Sequence, residues 1–175
     1  ALCKHHNLIY VVDNCFATPC IQQPRKFGAD LIIHSATKYI DGQGRVLGGA
    51  ILGSEELVSP CFDFLRRTGS SLSPFNAWVL SKSIETLPLR MERHSANAAS
   101  IADFLVGHPD ITAVNYPYLK SDPNYALARA QMSSGGGLVG CEIKGGKARG
   151  ARFLNALKLH SLTANLGDAR SIATH

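Results

Sequence analysis

Two short apolar runs, Leu8-Ile9-Tyr10-Val11-Val12 and Leu31-Ile32-Ile33, limit what this chain can fold into. Each is continuous rather than alternating, as a strand buried on both faces requires, and such strands belong to parallel sheets. The first run stops at Asp13-Asn14 and the second at His34-Ser35. About twenty residues separate Asp13 from His34, short for a strand-helix-strand crossover but enough for a compact one. If the two strands are parallel, Asp13 and the cluster Ser35-Ala36-Thr37-Lys38 leave the sheet at one edge, where open α/β sheets bind their ligands.

Downstream of this pair, Gly42-Gln43-Gly44-Arg45 reads as a flexible loop and residues 46–53 as a further strand whose paired Gly48 and Gly49 admit a close backbone neighbour. Ser54 and Ser73-Pro74 mark helix starts, and Ala77, Leu80, Ile84 and Leu87 recur at helical spacing. Pro88 predicts a break near residues 84–88, after which a helix over residues 90–106 runs to Gly107. That bend is the expected boundary between a domain at 1–88 and another at 89–175. The second part reads as α+β: strands at 111–114, 138–143 and 159–164, helices at 125–132 and 148–157. Gly135-Gly136-Gly137 fits no phosphate-loop pattern and reads as a flexible turn. Trp78 reads as a packing residue.

Of the 175 residues, 45% are apolar and 18% charged, which places the chain among ordinary globular proteins. No apolar run approaches the roughly 20 residues of a spanning helix. With no basic-then-apolar leader the expectation is a cytoplasmic protein with no membrane partner. The formal charge of +5 is spread without any basic block, so nucleic acid is not an expected partner. Five cysteines without a CxxC pair read as reduced, mostly buried thiols. The histidines His34, His94, His108 and His160 lack ligand spacing, so no metal is expected. A start without Met and an end without a polar tail read as a fragment.

Lys38 is the leading candidate for chemistry. Desolvating an ammonium at the end of a buried strand is costly, and a neutral amine is what Schiff-base formation needs. On position alone the commoner outcome is a lysine that snorkels to solvent. Its neighbours shift that balance: Ser35 and Thr37 offer hydroxyls suited to phosphate oxygens, and Asp13 offers a carboxylate from the adjoining strand. Amine, phosphate donors and carboxylate are the set that pyridoxal 5′-phosphate requires, for its aldehyde, its phosphate and its ring nitrogen respectively.

The motifs Val12-Asp13-Asn14 with Thr18-Pro19, Gly28-Ala29-Asp30, His34-Ser35-Ala36-Thr37-Lys38-Tyr39 and Gly48-Gly49 resemble the cofactor signature of the Cys/Met-metabolism pyridoxal phosphate enzymes. Leu89-Arg90-Met91-Glu92-Arg93-His94, Tyr116-Pro117, Gly145-Gly146 and Leu166-Gly167-Asp168-Ala169 extend the resemblance along essentially the whole chain. It implies an α/β fold of the aspartate-aminotransferase-like kind (fold type I), here the C-terminal part of the large parallel-sheet domain followed by an incomplete α+β C-terminal domain. It also implies a homotetramer built from dimers, Lys38 as the Schiff-base lysine, Asp13 as partner of the ring nitrogen, and Ser35 and Thr37 as phosphate ligands.

Within that family, Asp41-Gly42-Gln43-Gly44-Arg45-Val46-Leu47-Gly48-Gly49 and Ser73-Pro74-Phe75-Asn76-Ala77-Trp78 look most like the O-succinylhomoserine sulfhydrylase branch. The implied reaction of methionine biosynthesis is γ-replacement, an acylhomoserine plus sulfide giving homocysteine and, for the succinyl ester, succinate. Asn165 stands where many lyases of the family have a serine that helps hold the substrate carboxylate, which assigns it to the substrate pocket; a loop asparagine satisfying its own backbone is the other reading. Alternatives are a cystathionine γ-synthase, a methionine or cystathionine γ-lyase, or a catalytically incomplete interaction module on the same fold.

Overall fold

A computed structural model describes residues 2–175. After a short helix α1 (Leu2–His5), strands β1 (Val11–Asp13) and β2 (Leu31–Ser35) pair in parallel, with Asp13 opposite Ile33. Their connector is compact: one turn of helix α2 (Thr18–Ile21), then a 3-10 turn (Pro24–Phe27) closed by Gly28 at φ 85°, a left-handed position natural to glycine. Residues 36–48, which lead to the next strand, hold one π turn (Ala36–Ile40) and no α-helix of the kind that usually carries a parallel crossover. Strand β3 (Gly49–Gly53) accordingly returns antiparallel on the far side of β2, and the sheet is mixed, in the order β1-β2-β3.

This order corrects one expectation. Residues 8–12 are not buried on both faces: the strand begins at Val11, which is 46% exposed, because among the described residues β1 pairs with β2 alone.

Helix α3 (Glu55–Thr68) follows Ser54, with Glu55 and Glu56 in its first turn, Arg66 and Arg67 in its last, and Gly69 as a left-handed stop. That charge order suits the helix dipole. Helix α4 (Pro74–Ile84) is capped as expected: the Ser73 hydroxyl accepts the Asn76 N–H at 3.1 Å, and Pro74 fills the first position, where no N–H is needed. Pro88 sits in the first turn of helix α5 (Leu87–Val106), so the expected break falls at Glu85 and Thr86. The buried α5 residues Leu87, Met91, Ser95, Ala98 and Ala102 recur at threes and fours and form one face.

That face serves two cores. Leu87 and Met91 join Ile21, Tyr39, Ile40, Val46, Val79 and Leu80 around the segment that follows β2, while Ala98 and Ala102 join Tyr116 and Leu119. The second core lies against strands β4 (Ile111–Asn115) and β5 (Gly140–Ile143), which pair antiparallel. Helices α6 (Tyr125–Gln131) and α7 (Gly146–Ala156) stand close to their expected positions. The strand expected at 159–164 shrinks to β6 (Ser161–Leu162), which pairs in parallel with β7 (Ile172–Ala173), a strand the sequence pattern does not announce.

Three further expectations are corrected. The glycines at 135–137 are not slack: a Cβ on Gly135 would lie 2.6 Å from the Tyr116 hydroxyl, which itself sits 3.2 Å from the Gly136 carbonyl oxygen. Trp78 is 59% exposed beside Phe75 rather than packed in a core, because it lies on the outer face of α4. Among the cysteines only Cys15 is buried; Cys141 is exposed and Cys3, Cys20 and Cys61 are half-buried, and all are free thiols. No described helix is long and apolar enough to cross a membrane.

Candidate cofactor site

Because β1 and β2 are parallel, Asp13 and Ser35 end at one edge of the sheet. Ile33 and Ser35 lie two apart on β2, and Asp13 is opposite Ile33, so Asp13 and Ser35 also share a face. His34 projects to the other face, where it is buried; burial pushes its pKa down, and its Nδ1 has no partner among the described residues.

Asp13 is exposed and held by its neighbour Cys15. The Cys15 thiol and then the Cys15 N–H, which donates to Asp13 Oδ1 at 3.0 Å, lower the carboxyl pKa, with Lys38 and His34 adding attraction. The Cys15 sulfur also accepts the Ser35 N–H at 2.8 Å, and burial followed by the neighbouring Asp13 carboxylate pushes the thiol pKa up. One buried, uncharged cysteine thus joins the ends of the two strands. The sequence carried a signal for it, a cysteine two residues after the aspartate, but no local pattern tells that its sulfur meets residue 35.

Lys38 is not at the strand end proper. It lies in a five-residue π turn (Ala36–Ile40) that follows β2, and there the backbone leaves the helical region, with φ −85° and ψ −126°. The side chain is half-buried, and its amine rests 4.3 Å from the centre of the Phe16 ring. This is a partial departure from the buried lysine expected; an aromatic face takes the place of a carboxylate as the amine's neighbour.

The turn is held from several directions. Gly48 O accepts the N–H groups of Ala36 and Thr37. Arg90 donates to the carbonyls of Tyr39 at 2.6 Å, Ile40 at 3.2 Å and Ser83 at 3.0 Å. Asp41, wholly buried, accepts the Arg45 backbone N–H at 2.7 Å and pairs with its guanidinium at 2.9 Å. The loop at 42–45 is therefore pinned, not flexible.

Thr37 turns its hydroxyl toward Gly48, accepting the Gly48 N–H at 3.1 Å and leaving its own proton on a long 3.4 Å contact to Gly48 O. A small cavity of about 160 Å³ opens beside it, lined by Thr37, Gly44, Arg45, Val46, Leu47 and Asn165. Asn165 thus lies on the Thr37 side of the site. Its amide donates to Asp168 Oδ2 at 3.4 Å, and Asp168 also accepts from Arg170 at 2.9 Å.

Asp168 is buried, and the Arg170 guanidinium holds its carboxyl below the usual range. A carboxyl whose folded pKa is depressed contributes stability that is fully present above its unfolded value and is lost as the pH falls through the folded one. Asp168→Asn should therefore flatten the acid limb: its urea midpoint, measured from neutral pH down through the aspartate range, should fall less than that of the parent. A parallel decline in both would remove Asp168 from the account.

Pyridoxal phosphate fits the groups present. Among the described residues the Ser35 hydroxyl makes no hydrogen bond and no carboxylate lies within ion-pair distance of Lys38. A hydroxyl for a phosphate, an ionised carboxylate for a ring nitrogen and an unpaired amine for an aldehyde converge at one sheet edge.

The profile of the Cys/Met metabolism PLP-dependent enzymes matches residues 1–175. The chain is 48% identical to an O-succinylhomoserine sulfhydrylase of Pseudomonas aeruginosa, over 95% of its own length and 41% of that protein. It is 46% identical to an L-methionine gamma-lyase of Pseudomonas putida, over 99% of its length and 44% of the relative. A solved cystathionine gamma synthase from Xanthomonas oryzae pv. oryzae superposes with a TM-score of 0.95 at 36% identity, covering 99% of this chain and 45% of that one. The chain spans less than half the length of these relatives.

Proposed function

The chain belongs to the Cys/Met metabolism PLP-dependent enzyme family, and from that premise we propose that it supplies the lysine-bearing part of a methionine-biosynthetic O-succinylhomoserine sulfhydrylase. The observation that carries the catalytic reading is the meeting of Asp13, Ser35 and Lys38 at one sheet edge. The substrate assignment is supported by the 48% identity to the Pseudomonas aeruginosa sulfhydrylase.

Pyridoxal phosphate, the family's cofactor, supplies when bound an electron-poor ring that makes the protons on the carbons beside an attached amino group removable. Lys38 moves those protons, taking one from the substrate's α-carbon and returning one at the end, as base and then acid. Asp13, its carboxyl kept ionised by Cys15, holds a proton on the ring nitrogen. The Ser35 hydroxyl binds the phosphate, and the weakly engaged Thr37 proton is available to the same oxygens. Asn165 faces the substrate carboxylate from the Thr37 side. At the γ-carbon the C–O bond breaks with its electrons leaving on succinate, and the sulfur of hydrosulfide forms the new C–S bond, so succinate and homocysteine result without any redox change.

In this reading the intact protein is a cytoplasmic homotetramer of dimers. The exposed apolar side chains Phe62, Phe64, Phe75 and Trp78 on α3 and α4 support partner surfaces there. The test is an assay of the full-length, cofactor-loaded protein with O-succinylhomoserine plus sulfide, O-succinylhomoserine plus cysteine, and L-methionine alone. Homocysteine formation with sulfide should be fastest. Faster thiol release from methionine would move the assignment to the γ-lyase reading that the 46% identity to the Pseudomonas putida enzyme supports, and no turnover with any of the three would end the enzymatic reading.

A further inference from the structure

We infer that Gly167 is a positioning residue for Lys38, seating the loop at 165–169 on the Lys38-Tyr39 peptide so that the substrate side of the site and the lysine move as one body. Gly167 is buried at φ 89°, and a Cβ there would overlap the Tyr39 nitrogen and lie 2.7 Å from the Lys38 carbonyl carbon and 3.1 Å from the Tyr39 Cα. No other residue type permits that approach. Two residues on, the Ala169 N–H donates to Gly42 O at 2.7 Å, just past the end of the same turn. Two residues before, Asn165 packs on Gly44, where a Cβ would lie 2.6 Å from its amide nitrogen.

The turn that carries Lys38 is therefore held both by the Arg90 guanidinium, through the Tyr39 and Ile40 carbonyls, and by Gly167, on the Lys38-Tyr39 peptide. Asn165 cannot shift without its loop, and the loop cannot shift without the Lys38 peptide. Misplacing a reacting group by about 1 Å can cost on the order of 100-fold in rate, so this contact bears on the chemistry although it touches neither substrate nor cofactor.

The inference rests on Lys38 being the cofactor-bearing residue, and the two fail separately. Borohydride reduction of the full-length, cofactor-loaded parent should label Lys38; a label elsewhere ends that reading before any variant is made. With the label at Lys38, Gly167→Ala should slow the growth of the visible cofactor band after mixing apoenzyme with pyridoxal phosphate by on the order of 10-fold or more. It should also move the pH midpoint of that band by about half a unit or more, with far-ultraviolet dichroism and subunit assembly unchanged. Ala169→Pro, which removes the bond to Gly42 O without adding an atom over the lysine peptide, should move both in the same direction by less. An assembled Gly167→Ala protein with the parent's capture rate and midpoint overturns the inference, however much its thermal stability has fallen. If that variant does not assemble, parental values in Ala169→Pro overturn it. Exchange of the Ala169 amide in the parent at the rate of an unprotected loop overturns it regardless of the variants.

Discussion

In the full-length enzyme, Lys38→Ala should leave pyridoxal phosphate removable by dialysis and lower kcat by about 10²- to 10⁴-fold, the range for loss of a positioned acid-base group. Lys38→Arg should lose as much, because a guanidinium keeps its charge at neutral pH and offers no amine to an aldehyde. Stability separates this from a structural role. The Lys38 amine rests against the Phe16 ring, a contact worth about 0.5–1 kcal/mol at a half-exposed site, so the urea midpoint should hardly move. Measurement of kcat, cofactor retention and midpoint on the same samples decides the matter; retained turnover in Lys38→Ala would reassign the site.

The second large effect is expected at Arg90, and it is on stability first. Its guanidinium serves Tyr39 O, Ile40 O, Ser83 O and the Thr86 hydroxyl. Removing it strips donors from carbonyls beside the buried Tyr39, Ile40 and Ser83. Hydrogen bonds from a charged donor contribute about 1.5–3 kcal/mol each, less for those partly open to water, so Arg90→Ala should destabilise by on the order of 3 kcal/mol. Arg90→Lys should recover only part, since a single ammonium cannot span acceptors set for a planar fork. Equilibrium urea unfolding gives the number, and a loss under about 0.5 kcal/mol would show that water replaces the guanidinium without cost.

The features readable from sequence are those whose cause is local. Ser73 with Pro74 announces a helix start because cap and first turn are neighbours in the chain, and Pro88 announces a break for the same reason. The parallel pairing of β1 and β2 followed from two apolar runs and the length of their connector, and it carried Asp13 and Ser35 to one edge. The π turn at Lys38 had no such cause, since it depends on what grips it from afar: Arg90 lies some fifty residues downstream and Gly167 farther still. The same holds for Gly135, whose lack of a side chain reads as slack until Tyr116 is placed against it. Among the described residues the three-residue strand β1 pairs with β2 alone, which likewise leaves Val11 exposed where its composition suggested a core.

Helix α5 lends Leu87 and Met91 to the core around the segment that follows β2 and Ala98 and Ala102 to the core against β4. A twenty-residue helix is long enough to have its own ends in two environments, yet it forms or melts as a cooperative unit. Neither core can lose its packing without loosening the helix that the other needs. The boundary expected near residue 88 falls at the start of this helix, and in denaturation the two parts should act as a single thermodynamic unit with one transition.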